Sequence, residues 1–210
     1  MSNTTSSTPP ACPKCSLRYQ CLCNQRPILS SSLNIALLSH PKELTRATNT
    51  GKLLQQCLPH CEVHIWDRLH PPAALLEQIK QRPSYVVFPN EDAVDMNTLK
   101  TQTDHTSPLF IILDGTWQEA KKMINKSPWL SALPKVILQP KQESHYALRR
   151  NQATGNLCTC EVGIGLLTEL EAGHKQEVKQ LQDYFELFLE VYEDDRHHRV
   201  HAQTNSTHRK

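Results

Sequence analysis

Residues 108–123 read PLFIILDGTWQEAKKM. The first six form an apolar run with the length and composition of a buried strand. The pattern then turns helical within about three residues. Thr116 and Glu119 have the T-x-x-E spacing of a capping box, which starts the helix there. Gly115 reads as the residue that permits the sharp turn. A carboxylate, Asp114, ends the strand and an indole, Trp117, begins the helix. In isolation, D-G-T-W is equally consistent with a capping turn residue followed by a core anchor. What surrounds the pair decides its meaning.

Outward from this stretch, strand-like and helix-like patterns alternate. LNIALLS (33–39), EVHIW (62–66), SYVVF (84–88) and KVIL (135–138) read as strands. KELTRATNTGKLLQQCL (42–58) reads as a helix interrupted near Gly51, and PPAALLEQIKQ (71–81) as a helix opened by proline. CEVGIGLLTEL (160–170) and KQEVKQLQDYFELFLEVYED (175–194) read as two more helices. Such alternation predicts an α/β fold, a mostly parallel sheet with helices on both faces. Ligands bind at the carboxyl ends of the strands in such sheets. Asp114 falls at that edge, and SHPKE (39–43) and PNEDA (89–93) follow two other strands. There is no internal repeat. The glycine signatures of dinucleotide and P-loop sites and the nucleophile elbow are all missing. Arg149 and Arg150 have the chemistry of a carboxylate or phosphate clamp; an exposed basic pair in a loop is the alternative.

The 210 residues suffice for one domain with a full core and a small appendage. A hydrophobic content of 38 % without a long apolar run excludes a membrane-spanning helix. Residues 1–11 are polar, lack the pattern of a signal peptide and read as a disordered leader. Residues 196–210, RHHRVHAQTNSTHRK, read as a disordered polar tail, and a metal role for its histidines is the weaker reading. The domain organisation is therefore leader 1–11, cysteine knuckle 12–26, α/β body 27–195 and tail 196–210. The expected setting is cytoplasmic, where thiols stay reduced. Charge is unevenly spread. Residues 1–60 hold six Lys/Arg against one Asp/Glu, whereas residues 161–210 hold six against ten. A basic N-terminal region suits an anionic partner, with ordinary solvated charge as the alternative.

The basic end also carries CPKCSLRYQCLC, in which Cys12, Cys15, Cys21 and Cys23 have C-x2-C-x5-C-x-C spacing. Four thiolates within one short loop suit a tetrahedral zinc ion, and thiolates select zinc over hard cations. Free or redox-active cysteines and an iron–sulfur cluster are the alternatives. With all four ligands used, the site is structural. Lys14, Arg18 and Tyr19 lie between the ligands, where the knuckle can present them to a phosphate backbone. Cys57, Cys61, Cys158 and Cys160 read as small buried residues.

Together LDGTW, the four-cysteine knuckle, HPKELTRATNTGKLL, FPNEDA and LRRNQATGNLCTCEV resemble the DTW-domain family of tRNA-uridine aminocarboxypropyltransferases. The resemblance runs from Cys12 to Tyr192 and is most similar to proteobacterial enzymes acting on uridine 47 of the tRNA variable loop. LCTCEV places Cys160 where the family more usually has an apolar residue, and keeps Thr159 and Glu161 in position. The resemblance implies a SPOUT-like sheet, with a trefoil knot implied by resemblance alone, and S-adenosylmethionine as co-substrate.

The implied reaction is unusual. Uridine N3 attacks the methylene beside the sulfonium on the amino-acid side, so selectivity over methyl transfer must come from orientation. The N3 proton needs an acceptor, and Asp114 is the first choice as general base. Trp117 offers a stacking face or holds the turn. Asp114, Thr116 and Trp117 are thus the candidate catalytic residues. Candidate cofactor residues are Ser39, His40, Pro41, Pro89, Asn90, Glu91, Leu113, Asp114, Gly115, Thr159 and Glu161. Candidate tRNA contacts are Lys14, Arg18, Arg46, Lys122, Arg149 and Arg150; Arg149 is also a candidate for the carboxylate of the transferred group. A zinc-dependent RNA-binding protein without catalysis and an S-adenosylmethionine-dependent RNA methyltransferase are the competing readings. The oligomeric state stays open, a monomer included.

Overall fold

The computed structural model describes residues 8–96, 98–99, 107–138 and 157–202. Six strands form one sheet: β1 (Asn34–Ser39), β2 (Cys61–Ile65), β3 (Ser84–Val87), β4 (Val94–Asp95), β5 (Leu109–Asp114) and β6 (Lys135–Ile137). Their spatial order is β2-β1-β5-β3-β6-β4. Every pairing among the described residues is parallel. Among the described residues, α-helices run over α1 (Gly51–Cys57), α2 (Ala73–Gln81), α3 (Trp117–Lys126), α4 (Pro128–Ser131), α5 (Thr159–Leu170) and α6 (Lys175–Arg196). The expected α/β sheet is present.

Strand alternation divides the core in two. In β1, Ile35 and Leu37 join one cluster while Ala36 and Leu38 join the other; in β5, Phe110 and Ile112 separate from Leu109, Ile111 and Leu113 in the same way. The first cluster takes in α1, α5, α6 and the knuckle residues Leu17 and Leu22. The second takes in α2, α3 and α4. Each large apolar side chain so buried contributes about 1.5–3 kcal/mol. Continuing the alternation, Ser39 and Asp114 fall on the face of the first cluster. The register sets them side by side.

Two local expectations change. The helix over 42–58 survives only as α1, preceded by a 3-10 turn at Glu43–Thr45. Thr45, Thr48, Asn49 and Thr50 are weak helix formers whose side chains compete for backbone groups. Asn49 does so directly, donating to the Glu43 carbonyl at 3.1 Å. Short elements without periodicity, β4 and α4, are additions; α4 opens on Pro128, whose missing N–H costs nothing there.

α5 packs closely on α1. A Cβ at Gly163 would lie 2.5 Å from the Leu54 methyls, so glycine lets the two helices approach this far with the buried Leu54 side chain in place. That approach brings both helix N-termini to the end of β5.

Candidate functional site

Asp114 is 1 % exposed and lies at the carboxyl end of the central strand. Three donors hold its side chain. Ser39 Oγ donates to Oδ2 at 2.8 Å, Asn49 Nδ2 to Oδ2 at 3.3 Å, and Thr159 Oγ1 to Oδ1 at 2.8 Å. One carboxylate thus ties β1, the segment before α1 and the start of α5 together. Gly51 leaves room for it, since a Cβ there would meet Asp114 Oδ1 at 3.0 Å. Burial pushes the Asp114 carboxyl above its ordinary value, and nearby Glu43 adds to this; the hydrogen bonds from Ser39, Thr159 and Asn49 oppose it. The result is a buried carboxylate that binds a proton more readily than a surface aspartate.

A second network lies across the sheet edge. Thr116 caps α3, accepting from the Glu119 amide at 3.3 Å, while Glu119 Oε2 accepts from the Thr116 amide at 2.8 Å. Arg46 forks onto Glu119 through Nη1 at 2.7 Å and Nη2 at 2.8 Å, and also pairs with Glu43. The Arg46 guanidinium is the main reason that Glu119 titrates down at about 2. The guanidinium is shared between two carboxylates and stays part-exposed. His40 joins here: its amide donates to the Asp114 carbonyl at 2.8 Å and its ring stacks on Trp66 with centroids 5.5 Å apart. Burial lowers the His40 pKa, against the opposing pull of nearby Glu119.

The other expected site residues distribute as follows. Trp117 is 37 % exposed and lies nearly parallel to Phe88, with centroids 4.8 Å apart and 13° between the planes. The Lys121 ammonium sits 5.5 Å from the indole centroid. Lys122 is exposed on the same helix. Leu113 is a core residue. Gly115 does not adopt a left-handed conformation; its smallness leaves room for Glu119 and His40, with a Cβ meeting them at 3.2 Å and 3.4 Å. That replaces the turn-flexibility argument for this glycine. Glu161 closes a capping box on Cys158, accepting from its amide at 2.8 Å. Pro41 is exposed, as are Pro89, Asn90 and Glu91 beyond β3. No hydrogen bond among the described residues joins them to Asp114. Arg149 and Arg150 lie outside the described residues. Sequence reasoning missed Asn49 and Phe88, and took Glu43 only as part of the Ser39–Glu43 loop. The T-N-T-G run before α1 was a usable hint for Asn49; the burial of Glu43 and the Phe88 stack had no local signal.

The knuckle forms a separate centre. Sulfur–sulfur distances are 3.7 Å for Cys12–Cys23, 3.8 Å for Cys15–Cys21 and 3.7 Å for Cys21–Cys12, and all four sulfurs lie within 4.8 Å of one another. A tetrahedron of thiolates about 2.3 Å from a metal has edges of about 3.8 Å, so the donor set fits such an ion. Cys12 is lowered to about 6, chiefly by the Cys15 backbone amide. The knuckle docks on α6, where Asp195 Oδ1 accepts from the amides of Arg18 at 2.7 Å and Tyr19 at 2.8 Å. It also touches α1, through Lys52 Nζ to Ser16 Oγ at 3.2 Å and Gln56 Nε2 to the Lys14 carbonyl at 3.1 Å. Lys14 and Arg18 are exposed. Beyond α6, Arg199 and His201 bond back to Asp194, at 2.9 Å and 2.7 Å. No helix among the described residues is long and apolar enough to cross a membrane.

The DTW domain profile matches residues 9–193. Three curated proteins, each named tRNA-uridine aminocarboxypropyltransferase 2, are similar to this chain. The Mus musculus protein is 29 % identical over 170 residues, covering 77 % of this chain and 57 % of its own length. The Macaca fascicularis protein is 27 % identical over 169 residues, with the same two coverages. The Drosophila melanogaster protein is 31 % identical over 148 residues, covering 67 % of this chain and 57 % of its own length. The chain therefore spans a little over half the length of the curated relatives it matches. No solved structure matches it.

Proposed function

The chain belongs to the DTW domain family, and from that premise we propose that it transfers the 3-amino-3-carboxypropyl group of S-adenosylmethionine to N3 of a tRNA uridine. Position 47 is the proposed uridine. The observation that carries the reading is Asp114: a carboxylate buried at the ligand-facing edge of a parallel sheet, held by groups from β1, the α1 approach and α5. Burying a charge this deeply is costly, and a capping turn alone does not require it.

In this reaction the N3 lone pair forms a bond to the methylene beside the sulfonium. The carbon–sulfur bond breaks, its electron pair goes to sulfur, and methylthioadenosine leaves as a neutral thioether. The N3 proton ends on Asp114, whose raised proton affinity suits it as the acceptor. Ser39, His40 and the turn after β5 supply the proposed cofactor loops, joined by Pro89–Asn90–Glu91 and the start of α5. Trp117, backed by Phe88, is the proposed stacking face, since base–aromatic stacking contributes about 1–3 kcal/mol. The knuckle holds zinc as a structural ion. Lys14, Arg18, Arg46, Lys122, Arg149 and Arg150 are the proposed phosphate contacts. A SPOUT-like, knotted topology and a cytoplasmic setting belong to the same proposal and rest on the family.

The test is to incubate the protein with S-adenosylmethionine and unmodified tRNA and to follow the nucleoside co-product by chromatography. Methylthioadenosine supports the transferase. S-adenosylhomocysteine means methyl transfer instead, and unchanged S-adenosylmethionine with tRNA bound means an RNA-binding protein without this chemistry.

A further inference from the structure

Resting on the transferase reading, we propose that Thr159 is the residue that touches the reacting uridine: its hydroxyl takes the N3 proton and passes its own proton to Asp114. Asp114 is 1 % exposed, so a nucleotide arriving from solvent does not reach its oxygens directly. Its three donors differ in what they offer. Ser39 is as buried as Asp114, at 1 %, and Asn49 is 4 % exposed and presents an amide, which does not exchange protons at the required rate. Thr159 alone is partly exposed and bonds Asp114 Oδ1 at 2.8 Å.

A hydroxyl has one proton and two lone pairs. With its own proton donated in the hydrogen bond to Asp114, both lone pairs are left to accept an N–H. Thr159 is also held in place. It is the first residue of α5, flanked by the Cys158 amide donating to Glu161 at 2.8 Å and the Cys160 amide donating to Thr50 Oγ1 at 3.2 Å. The step balances. N3 gains the carbon and loses its proton to Thr159 Oγ1, the Thr159 proton moves to Asp114 Oδ1, and the sulfonium takes the electron pair of the broken bond. Because N3–H becomes strongly acidic only as N3 bonds to carbon, both protons move with carbon–sulfur cleavage. Asp114 must start ionised. Among the described residues, Glu43 adds to its proton affinity, and burial, and in turn the Asp114 charge, raise the Cys61 thiol. After product leaves, the proton returns to water along the same path.

The experiment is a Thr159 series with purified protein, tRNA and saturating S-adenosylmethionine, read in single turnovers. Thr159→Ser keeps the hydroxyl and is expected within about threefold of wild type. Thr159→Val fills the same space without one, and its rate is expected to fall by roughly 10²–10⁴-fold, the usual worth of a positioned proton acceptor. Thr159→Ala leaves room for a water to stand in, so its rate is expected between the two. Single turnovers at saturating S-adenosylmethionine and tRNA separate the chemical step from any change in affinity, and a melting curve for each variant confirms that it is folded. A valine variant that retains more than about a third of the rate overturns the relay, as does a serine variant as slow as valine. Wild-type rates in mixed light and heavy water give a second readout that needs no variant. Two protons in flight bow the plot of rate against deuterium fraction; a straight line overturns the relay. A wild type that makes no aminocarboxypropyl product, in contrast, fails the transferase reading itself.

Discussion

Two clusters of four polar side chains organise this molecule, and they are assembled in opposite ways. The knuckle draws Cys12, Cys15, Cys21 and Cys23 from one short loop. The strand-end cluster draws Ser39, Asn49, Asp114 and Thr159 from four separate parts of the chain. The first needs only local geometry and a metal; the second exists only once β1, β5, α1 and α5 have packed. Yet they are not independent. α1 has its N-terminus against Asp114 and its outer face bonded to Ser16 and Lys14 of the knuckle. Leu17 and Leu22 sit in the same core as α1 and α6. The local cluster supports the wall against which the distant one is built.

The largest effect expected from this comparison comes from breaking the knuckle. Structural zinc sites contribute about 10–16 kcal/mol of apparent binding energy to their folded domains. Cys15→Ser is expected to lose one zinc per chain and to lower the melting temperature of the whole domain, because Leu17 and Leu22 leave the core with it. Elemental analysis and a melting curve check this. A variant that loses zinc and melts normally would make the two clusters independent.

Next comes the strand end. Asp114→Asn keeps the size of the side chain but not its charge, and turnover is expected to fall by roughly 10²–10⁴-fold. The melting temperature should move by only a few degrees, because the lost hydrogen bond is offset by the lost burial of a charge. Near-normal turnover with a lower melting temperature would reduce Asp114 to a turn residue.

The pH response separates two carboxylates on the same turn. Glu119 falls from 4.5 to about 2 because Arg46 forks onto it. Its contribution is complete above pH ~4.5 and disappears as pH drops toward 2, on the order of 2–3 kcal/mol. Asp114 is shifted up, so its sign is opposite: stability rises as pH falls through its folded pKa. Acid titration of Glu119→Gln is expected to show lower stability at neutral pH and a flatter curve between pH ~4.5 and ~2. An unchanged curve would mean the Arg46 fork contributes nothing.

The smallest effect tests the outer face of the knuckle. Replacing Lys14 and Arg18 with Ala is expected to keep zinc and to lower the salt slope of tRNA binding by about 1.5, the worth of two phosphate contacts. An unchanged slope removes the knuckle from the RNA surface.

The sequence exposed the two clusters unequally. Thiol spacing alone revealed the knuckle, because its ligands are neighbours. β5 and the start of α3 were legible from one apolar run and one capping box, and the parallel sheet followed from alternation. Placing Asp114 at the ligand edge needed only that fold rule. Asn49 and the burial of Glu43 stayed hidden, because both are polar residues in a stretch that mimics a helix and are buried only by tertiary contacts. The Arg46–Glu119 pair was hidden for the same reason, because the two residues are distant in sequence. Phe88, at the end of a plain strand pattern, gave no sign that it backs Trp117.

The most direct test of the whole account is the mass of the nucleosides from tRNA treated with the protein and S-adenosylmethionine. A 3-amino-3-carboxypropyl adduct on uridine, mapped to position 47 and absent when S-adenosylmethionine is withheld, is the predicted result. A methyl adduct, or tRNA returned unmodified by folded, zinc-loaded protein, would contradict it.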